Sequence, residues 1–168
     1  MKLLLSILFI SMMFYSCEEK VAPTPINPVN WSSRSINLQD KDSLTTGNSY
    51  LSVYSEIYSV TEHRTINLTT TVSLRNVSSS DSVYITKANY HNTNGDLIRS
   101  YLKSPIYIKP LETIEIIINE KDMHGGSGAN FVFDWATETQ SLEPHFEAVM
   151  ITTSGQQGIS FTTQGIKR

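Results

Sequence analysis

The feature that most constrains this chain is a series of short segments in which apolar and polar residues alternate, separated by turn residues. The clearest segment spans residues 66–76, with Ile66, Leu68, Val72 and Leu74 on one face and polar residues on the other. Alternation with a period of two is typical of a β-strand that has one buried and one solvated face. The pattern predicts an all-β fold, an immunoglobulin-like antiparallel β-sandwich of about eight or nine strands.

Further strand-like segments follow one another along the chain. They cover residues 50–60, 82–90, 97–102, 106–108, 113–118, 131–135, 146–153 and 159–163. Prolines flank the piece 106–108, and we expect it at a sheet edge because proline cannot donate to a strand ladder. The nearly continuous apolar run 113–118 predicts a central strand that is covered on both faces. Asn94-Gly95 predicts a tight hairpin turn.

The N-terminal 17 residues have a different composition from the rest of the chain. Thirteen of them are apolar, Lys2 stands near the start, and Ser16 and Cys17 end the stretch. This arrangement is typical of a secretory signal, and its apolar core is short for a permanent membrane span. Ser16-Cys17 resembles the bacterial lipobox. That resemblance implies that a diacylglycerol is attached to Cys17 and that the chain is cut before it.

This N-terminal signal determines the predicted domain organisation and location of the protein. We expect a lipoprotein signal peptide at residues 1–16, a lipidated cysteine and proline-rich tether at 17–30, and a single β-sandwich domain at 31–168. Glu18 and Glu19 resemble the acidic export tags of some bacterial lipoproteins. The chain is therefore predicted to be an outer membrane lipoprotein, displayed on the cell surface rather than facing the periplasm.

Charge and cysteine content exclude several classes of function. The formal net charge is −3, which argues against nucleic-acid binding through a basic surface. With Cys17 as the only cysteine, the chain can form no internal disulfide and no multi-cysteine zinc or iron–sulfur site. No cofactor is expected.

The loop at residues 121–130 is rich in glycine and is the first candidate for binding. It lacks the lysine and the following helix of a phosphate-binding loop, and it also departs from the nucleophile elbow. The predicted binding loops contain Gly125, Gly126, Ser127, Gly128 and Asn130, together with Gly155, Gln156, Gln157 and Gly158. Asp122 and His124 are the best pair for a metal, but no HxH or HExxH spacing accompanies them. We expect neither a metal site nor catalytic residues.

Several stretches together resemble a known family. They are Gly125–Phe131, Trp135, Glu147–Met150 and Gly155–Phe161, with upstream similarity at Leu51–Tyr54 and Leu97–Leu102. The set resembles the bacterial domain-of-unknown-function family three-one-two-four over most of residues 48–165. The resemblance implies a small exported or lipid-anchored protein without an assigned activity.

Three hypotheses for function remain open at this stage. The first is a non-catalytic binding module of the cell envelope that engages an envelope protein or a glycan through its end loops. The second is a small metal-assisted hydrolase that uses the Asp122–His124 loop. The third is a structural accessory subunit of an envelope complex that pairs with a neighbour through an exposed edge such as 105–110.

Replacing the lipobox cysteine tests the anchor. Acylation requires the Cys17 thiol, so Cys17→Ala is expected to abolish incorporation of labelled fatty acid into the protein and to release it from the membrane fraction. The measurement is metabolic labelling followed by purification of the chain, with Ser16→Ala as the control that keeps both a small residue and the thiol. Labelled fatty acid in Cys17→Ala would refute the anchor.

Overall fold

The computed structural model describes residues 29–41, 43–155 and 158–168 of the protein. Within these ranges there are twelve strands: β1 (Leu44–Ser52), β2 (Glu56–Ser59), β3 (Thr61–Asn67), β4 (Thr69–Arg75), β5 (Val83–His91), β6 (Leu97–Ser100), β7 (Ile106–Ile108), β8 (Thr113–Ile118), β9 (Asn130–Glu138), β10 (His145–Thr152), β11 (Ile159–Gln164) and β12 (Ile166–Lys167). Two short 3-10 segments, Trp31–Arg34 and Met123–Gly128, accompany them. Over the same ranges, no helix has the length and apolar character that a membrane crossing requires.

Antiparallel pairing arranges these strands into two main sheets and a hairpin. A six-stranded sheet has the order β12-β1-β9-β5-β6, with β7 also paired to β5. A four-stranded sheet has the order β11-β10-β4-β8, and β2 pairs with β3 alone. The prediction of an all-β antiparallel sandwich is confirmed.

An aromatic row fills the core between the two sheets. Phe133 on β9 stacks on Phe146 of the opposite sheet, with ring centroids 4.2 Å apart. On the same side of β9, Phe131 stacks on Phe133 and on Tyr90 of β5, and Tyr101 packs against Phe131 at 5.7 Å. All five rings are buried. The alternation of Phe131 and Phe133 therefore directs both side chains into the core.

The structure has more strands than expected because two long segments are interrupted. The predicted strand at 50–60 ends at Ser52 and resumes at Glu56, and the one at 66–76 is broken at Leu68. The backbone N–H of Leu68 donates to the carbonyl of Ser55 over 2.8 Å, where the chain passes from the hairpin into the four-stranded sheet. Alternation continues through these breaks, so periodicity alone does not reveal them.

The two predictions about strand position have different outcomes. β7 pairs with β5 at the side of the six-stranded sheet, so the predicted edge position of 106–108 is confirmed. The central position predicted for residues 113–118 is wrong, because β8 is the last strand of the four-stranded sheet. Thr113 and Glu115 are exposed, so only one face of β8 is buried despite its isoleucine content.

Residues 29–36, here called the N-terminal segment, cover the edge formed by β7 and the chain before it. Ser35 forms an isolated antiparallel bridge with Ile106, and the N–H of Ile36 donates to the carbonyl of Pro105 over 3.0 Å. Arg34 makes two hydrogen bonds to the carboxylate of Glu112, at 2.9 and 2.6 Å. This bonding holds the pKa of Glu112 below its usual value. The segment is thus fixed to the sandwich by both backbone and charged contacts.

Truncating the ring at the centre of the aromatic row tests how much it stabilises the fold. Phe133→Ala is expected to lower the free energy of unfolding by about 3–5 kcal/mol, because it removes buried area and leaves a cavity. Denaturant titration followed by circular dichroism measures the loss. Leu142→Ala is the matched control, since Leu142 is 57% exposed, and it should change stability by less than about 0.5 kcal/mol. Equal effects from the two changes would contradict the prediction.

Candidate functional site

One end of the sandwich, here called the loop end, gathers residues 53–68, which contain the β2–β3 hairpin, and the connecting segments at 92–96, 119–129, 153–155 and 158. The strand registers place Ser52, His91 and Asn130 side by side where the six-stranded sheet ends. Ile151 and Thr69 lie at the corresponding end of the four-stranded sheet. The two predicted binding loops, 121–130 and 154–158, therefore lie at the same end, although Gln156 and Gln157 are outside the described residues.

The glycines of the 121–130 loop allow close packing within the protein. Gly125 is buried, and a Cβ atom there would lie 2.0 Å from the hydroxyl of Tyr90 and 2.5 Å from that of Ser55. Its carbonyl accepts from both the backbone N–H and the hydroxyl of Thr93, at 3.0 and 3.1 Å. Gly126 has φ of 72°, a conformation that favours glycine. These contacts hold Met123–Gly128 against the sandwich.

Other predicted loop residues lie at the margins of this end. Asn130 begins β9 and faces both β1 and β5, Gly155 has φ of 84° in the β10–β11 turn, and Gly158 directly precedes β11. Ser127 is partly buried inside the 3-10 segment. Cys17, the predicted lipidation site, is outside the described residues.

Four side chains beneath the loop end form a connected group, here called the Asp122 cluster: Arg99, Tyr101, Asp122 and His124. Arg99 binds Asp122 through Nη2 and Oδ2 at 3.0 Å, and it donates from Nη1 to the hydroxyl of Tyr101 at 3.0 Å. The other carboxylate oxygen of Asp122 lies 2.8 Å from Nδ1 of His124. One carboxylate therefore joins a guanidinium to an imidazole.

Burial divides the cluster into an inner and an outer part. The Arg99 and Asp122 side chains are 7% and 1% exposed, whereas that of His124 is 56% exposed. A buried ion pair is stable only when both partners are held in good geometry, because each charge has lost its hydration. Asp122 thus neutralises Arg99 inside the protein and orients the ring of His124 at the surface.

The same region contains a second, neutral polar contact. The hydroxyls of Ser55 and Tyr90 lie 2.8 Å apart and are buried under Gly125. Burial raises the pKa of Tyr90 to about 12, and it raises the pKa of Tyr101 as well. Both phenols are therefore protonated at neutral pH and act as hydrogen-bonding groups.

The Asp122–His124 pair is the part of this site that could take part in hydrolysis. A carboxylate that orients a histidine is half of a nucleophilic triad, which also needs a hydroxyl or thiol hydrogen-bonded to the ring. Among the described residues no such side chain hydrogen-bonds to His124, and Ser55 is bonded to Tyr90 instead. Nor do these residues contain a group of three or more His, Cys, Asp or Glu that could hold a metal ion.

Exposed apolar side chains occur on two segments of the loop end. Tyr58 and Val60 on the β2–β3 hairpin are 62% and 89% exposed, and Met123 is 53% exposed. The hairpin strand β2 packs against the segment Met123–Gly128. Val60 has φ of 69°, which is rare for a β-branched residue. The sequence predicts one alternating strand over 50–60, and it does not indicate that Tyr58 and Val60 lie on a separate hairpin.

The comparisons with known proteins give one match. A family model described as Protein of unknown function (DUF3124) matches residues 46–167. No curated protein and no solved structure matches the chain. The matched region contains all twelve strands except the first two residues of β1.

Removing the charge of Asp122 tests whether the cluster holds the loop end. Asp122→Asn leaves the Arg99 guanidinium buried without a counter-charge and is expected to cost about 3–5 kcal/mol in unfolding free energy. His124→Gln breaks only a half-exposed contact and should cost less than about 1 kcal/mol. Arg99→Met combined with Asp122→Leu should recover most of the loss, because no charge is then buried. Denaturant titration compares the variants, and similar small losses for Asp122→Asn and His124→Gln would contradict this role.

Proposed function

The chain belongs to the family described as Protein of unknown function (DUF3124), and we propose that it is a lipid-anchored, non-catalytic binding module of the bacterial cell envelope. In this proposal the acylated Cys17 holds the protein at the outer membrane, with surface display favoured by Glu18 and Glu19. The loop end of the sandwich then contacts a partner protein. The anchor is supported by the sequence alone.

The observation that carries the binding role is the exposure of Tyr58, Val60 and Met123 on a rigidly supported end of the fold. Exposed apolar surface is typical of interaction sites, and β2 packs against the segment that begins with Met123. Beneath them, the buried Arg99–Asp122 ion pair and the Ser55–Tyr90 hydrogen bond fix the loop backbone. A preorganised surface loses little conformational entropy when it binds, so such support favours affinity.

The conformation of the hairpin tip adds to this argument. Val60 adopts a left-handed backbone conformation, and the β2–β3 pairing is irregular between Tyr58 and Ser59. Strained residues persist only where the surrounding structure enforces them, and they occur often at functional sites. The strain at Val60 directs an almost fully exposed apolar side chain to solvent, at a position where asparagine or glycine would be less strained.

The chemistry of the surface favours a protein partner over a glycan. Tyr58, Val60 and Met123 supply apolar area, and β3 adds the exposed charged residues Glu62 and Arg64. An apolar centre with a polar and charged rim is the usual composition of a protein interface. A glycan site would instead require hydrogen-bonding groups set beside an aromatic face, and binding to a glycan is a separate outcome of the experiment.

The two alternatives find less support. The edge at 105–110, which an accessory subunit could use for strand pairing, is already occupied in part by Ser35 and Ile36 of the same chain. Hydrolysis would require His124 to activate a nucleophile. Among the described residues, the hydrogen bond of its ring is to Asp122 and not to a hydroxyl or thiol. Both alternatives remain distinguishable by experiment.

The test is recovery of a partner from cross-linked membranes of cells that carry the full chain. The wild type should co-purify in a fixed ratio with one envelope protein, and Tyr58→Ser combined with Val60→Ser should weaken that association by about thirtyfold or more, as for loss of a binding hot spot. Leu142→Ser, at the opposite end of the sandwich, is the matched control and should leave the ratio unchanged.

Three results would contradict the proposal. One is a chain that purifies alone. Another is an association that is reduced equally by the hairpin variant, Tyr58→Ser with Val60→Ser, and by the control Leu142→Ser. The third is turnover of ester or peptide substrates that His124→Gln abolishes, which would support the hydrolase. Saturable binding on a glycan array that is lost in the hairpin variant would replace the protein partner by a glycan.

A further inference from the structure

A groove runs along the open edge of β8, between this strand and the N-terminal segment. Its volume is about 380 Å³, and β8 lines it from Thr113 to Ile117. At the rise of an antiparallel strand these five residues span about 14 Å. The residues that line it from the N-terminal segment are Val29, Asn30, Ser33 and Arg34.

The backbone groups of β8 alternate in direction, and the register shows which of them face the groove. The N–H of Asn76 donates to the carbonyl of Glu112 over 3.0 Å, one step beyond the last pair of the β4–β8 ladder. Hydrogen-bonded pairs alternate along an antiparallel ladder, so the even-numbered residues of β8 bond to β4. The residues whose N–H and C=O groups point to the open edge are Thr113, Glu115 and Ile117.

The ladders on the other side of β4 lead to the same assignment. The N–H of Gly165 donates to the carbonyl of Phe146, in register with the β10–β11 ladder, so the even-numbered residues of β10 bond to β11. Its odd-numbered residues, such as Glu147, therefore bond to odd-numbered residues of β4, such as Ser73. The even-numbered residues of β4 remain for β8, as the first ladder indicates.

The outward backbone groups of β8 have no strand partner in the part of the chain that the structure describes. Thr113 and Glu115 are exposed, and Ile117 is partly accessible. Other edges are shortened or closed, because β12 has two residues and the chain before β7 bonds to Ile36. The edge of β8 is six residues long, and its ladder with β4 continues without a bulge. Such an edge is a template for a further strand.

The wall opposite β8 does not supply this partner. The backbone carbonyl of Asn30 accepts from the hydroxyl of Ser33 at 2.8 Å, and its side chain accepts from the N–H of Ser33 at 3.2 Å. The guanidinium of Arg34 is bonded to Glu112. These polar groups are engaged elsewhere, so the hydrogen-bonding capacity of the groove lies mainly on β8.

We propose that the open edge of β8 binds an extended segment of a partner protein as an added antiparallel strand. Its N–H and C=O groups recur every second residue, at about 7 Å, which is the repeat of another strand. Antiparallel pairing continues that of β4 with β8 and with β10. A single segment fits better than a second copy of β8, which would bring its own sheet against the wall at residues 29–34.

The side chains around the groove define the sequence of the bound segment. Glu115 has no ion pair with any described residue, so a lysine or arginine directly opposite it is favourable. The neighbouring side chains of the segment point towards Ile114 and Val29, which favour apolar residues. Read from the position opposite Ile117, the segment is therefore apolar, apolar, basic, apolar and polar. This site is separate from the Tyr58–Val60 surface and does not depend on the function proposed above.

The first measurement is amide hydrogen exchange along β8, followed by NMR on the full chain in detergent. In the free protein, Ile114, Ile116 and Ile118 should exchange slowly, whereas Thr113, Glu115 and Ile117 should exchange fast. The probe is the acetylated and amidated peptide Val-Ile-Lys-Val-Thr. It should bind saturably in the millimolar range and slow exchange at the three outward amides.

Modified peptides test the backbone pairing. N-methylation of the peptide lysine removes the N–H that faces Glu115, and it should weaken binding about tenfold or more. N-methylation of the preceding isoleucine, whose N–H points away from β8, is the matched control and should change affinity by less than about threefold. Equal losses from the two methylations would overturn the proposal.

A charge exchange tests the assigned side-chain contact. The peptide Val-Ile-Glu-Val-Thr should bind the wild type about two- to fivefold more weakly than the lysine peptide, as for an exposed ion pair. Glu115→Lys should reverse this preference. Glu62→Lys makes the same change of charge on the exposed strand β3 and should not reverse it. Slow exchange at Ile114, Ile116 and Ile118 will show that each variant is folded.

Three further results would overturn the proposal. One is fast exchange at the outward amides that the lysine peptide does not slow, and another is an unchanged peptide preference in Glu115→Lys. The third is slow exchange at Thr113, Glu115 and Ile117 without peptide, because the edge would then already be paired. Protection that is lost on dilution would identify a second copy as the occupant.

Discussion

The stacking of Phe133 on Phe146 is the contact on which the remaining architecture depends, because it joins the two sheets at the centre of the core. From Phe133 the aromatic row continues through Phe131 to Tyr90 and Tyr101. Those two tyrosines end the row in hydroxyls, which bond to Ser55 and Arg99. Apolar packing and the polar contacts of the loop end are therefore parts of one connected structure. Loss of sheet-to-sheet packing would also displace the groups that position Asp122.

The sequence was sufficient to predict the fold class, because alternation depends only on which face of each strand is buried. It also predicted the edge position of 106–108, since proline excludes a central ladder. Alternation could not reveal the break at Leu68. This residue stays buried although the chain passes there from β3, which pairs with β2, into β4 of the four-stranded sheet. Nor could it show that residues 113–118 form an edge strand, because isoleucines that fill one face and partly cover the other resemble a strand buried on both. Which strands pair is decided by long-range contacts that local patterns do not contain.

For the candidate site, the sequence predicted what local spacing can determine. Asp122 and His124 are two residues apart in a turn, and Oδ1 of Asp122 lies 2.8 Å from Nδ1 of His124. Arg99 is far from them in sequence and reaches Asp122 only through the sandwich, so its partner could not be read from the chain. The glycines of the 121–130 loop fit either a turn between strands or a binding loop, and the space at Gly125 is taken by Tyr90 and Ser55 of the same protein.

The attachment of the N-terminal segment has a mechanical consequence. If the protein is held to a membrane through residues that precede Val29, tension on the chain acts first on the Ser35–Ile106 bridge and the Arg34–Glu112 ion pair. These few contacts are weaker than the ladders of either sheet, so they would yield while the sandwich stays intact. The segment would then behave as an extensible joint that lengthens the reach of the domain from the membrane while both sheets stay folded.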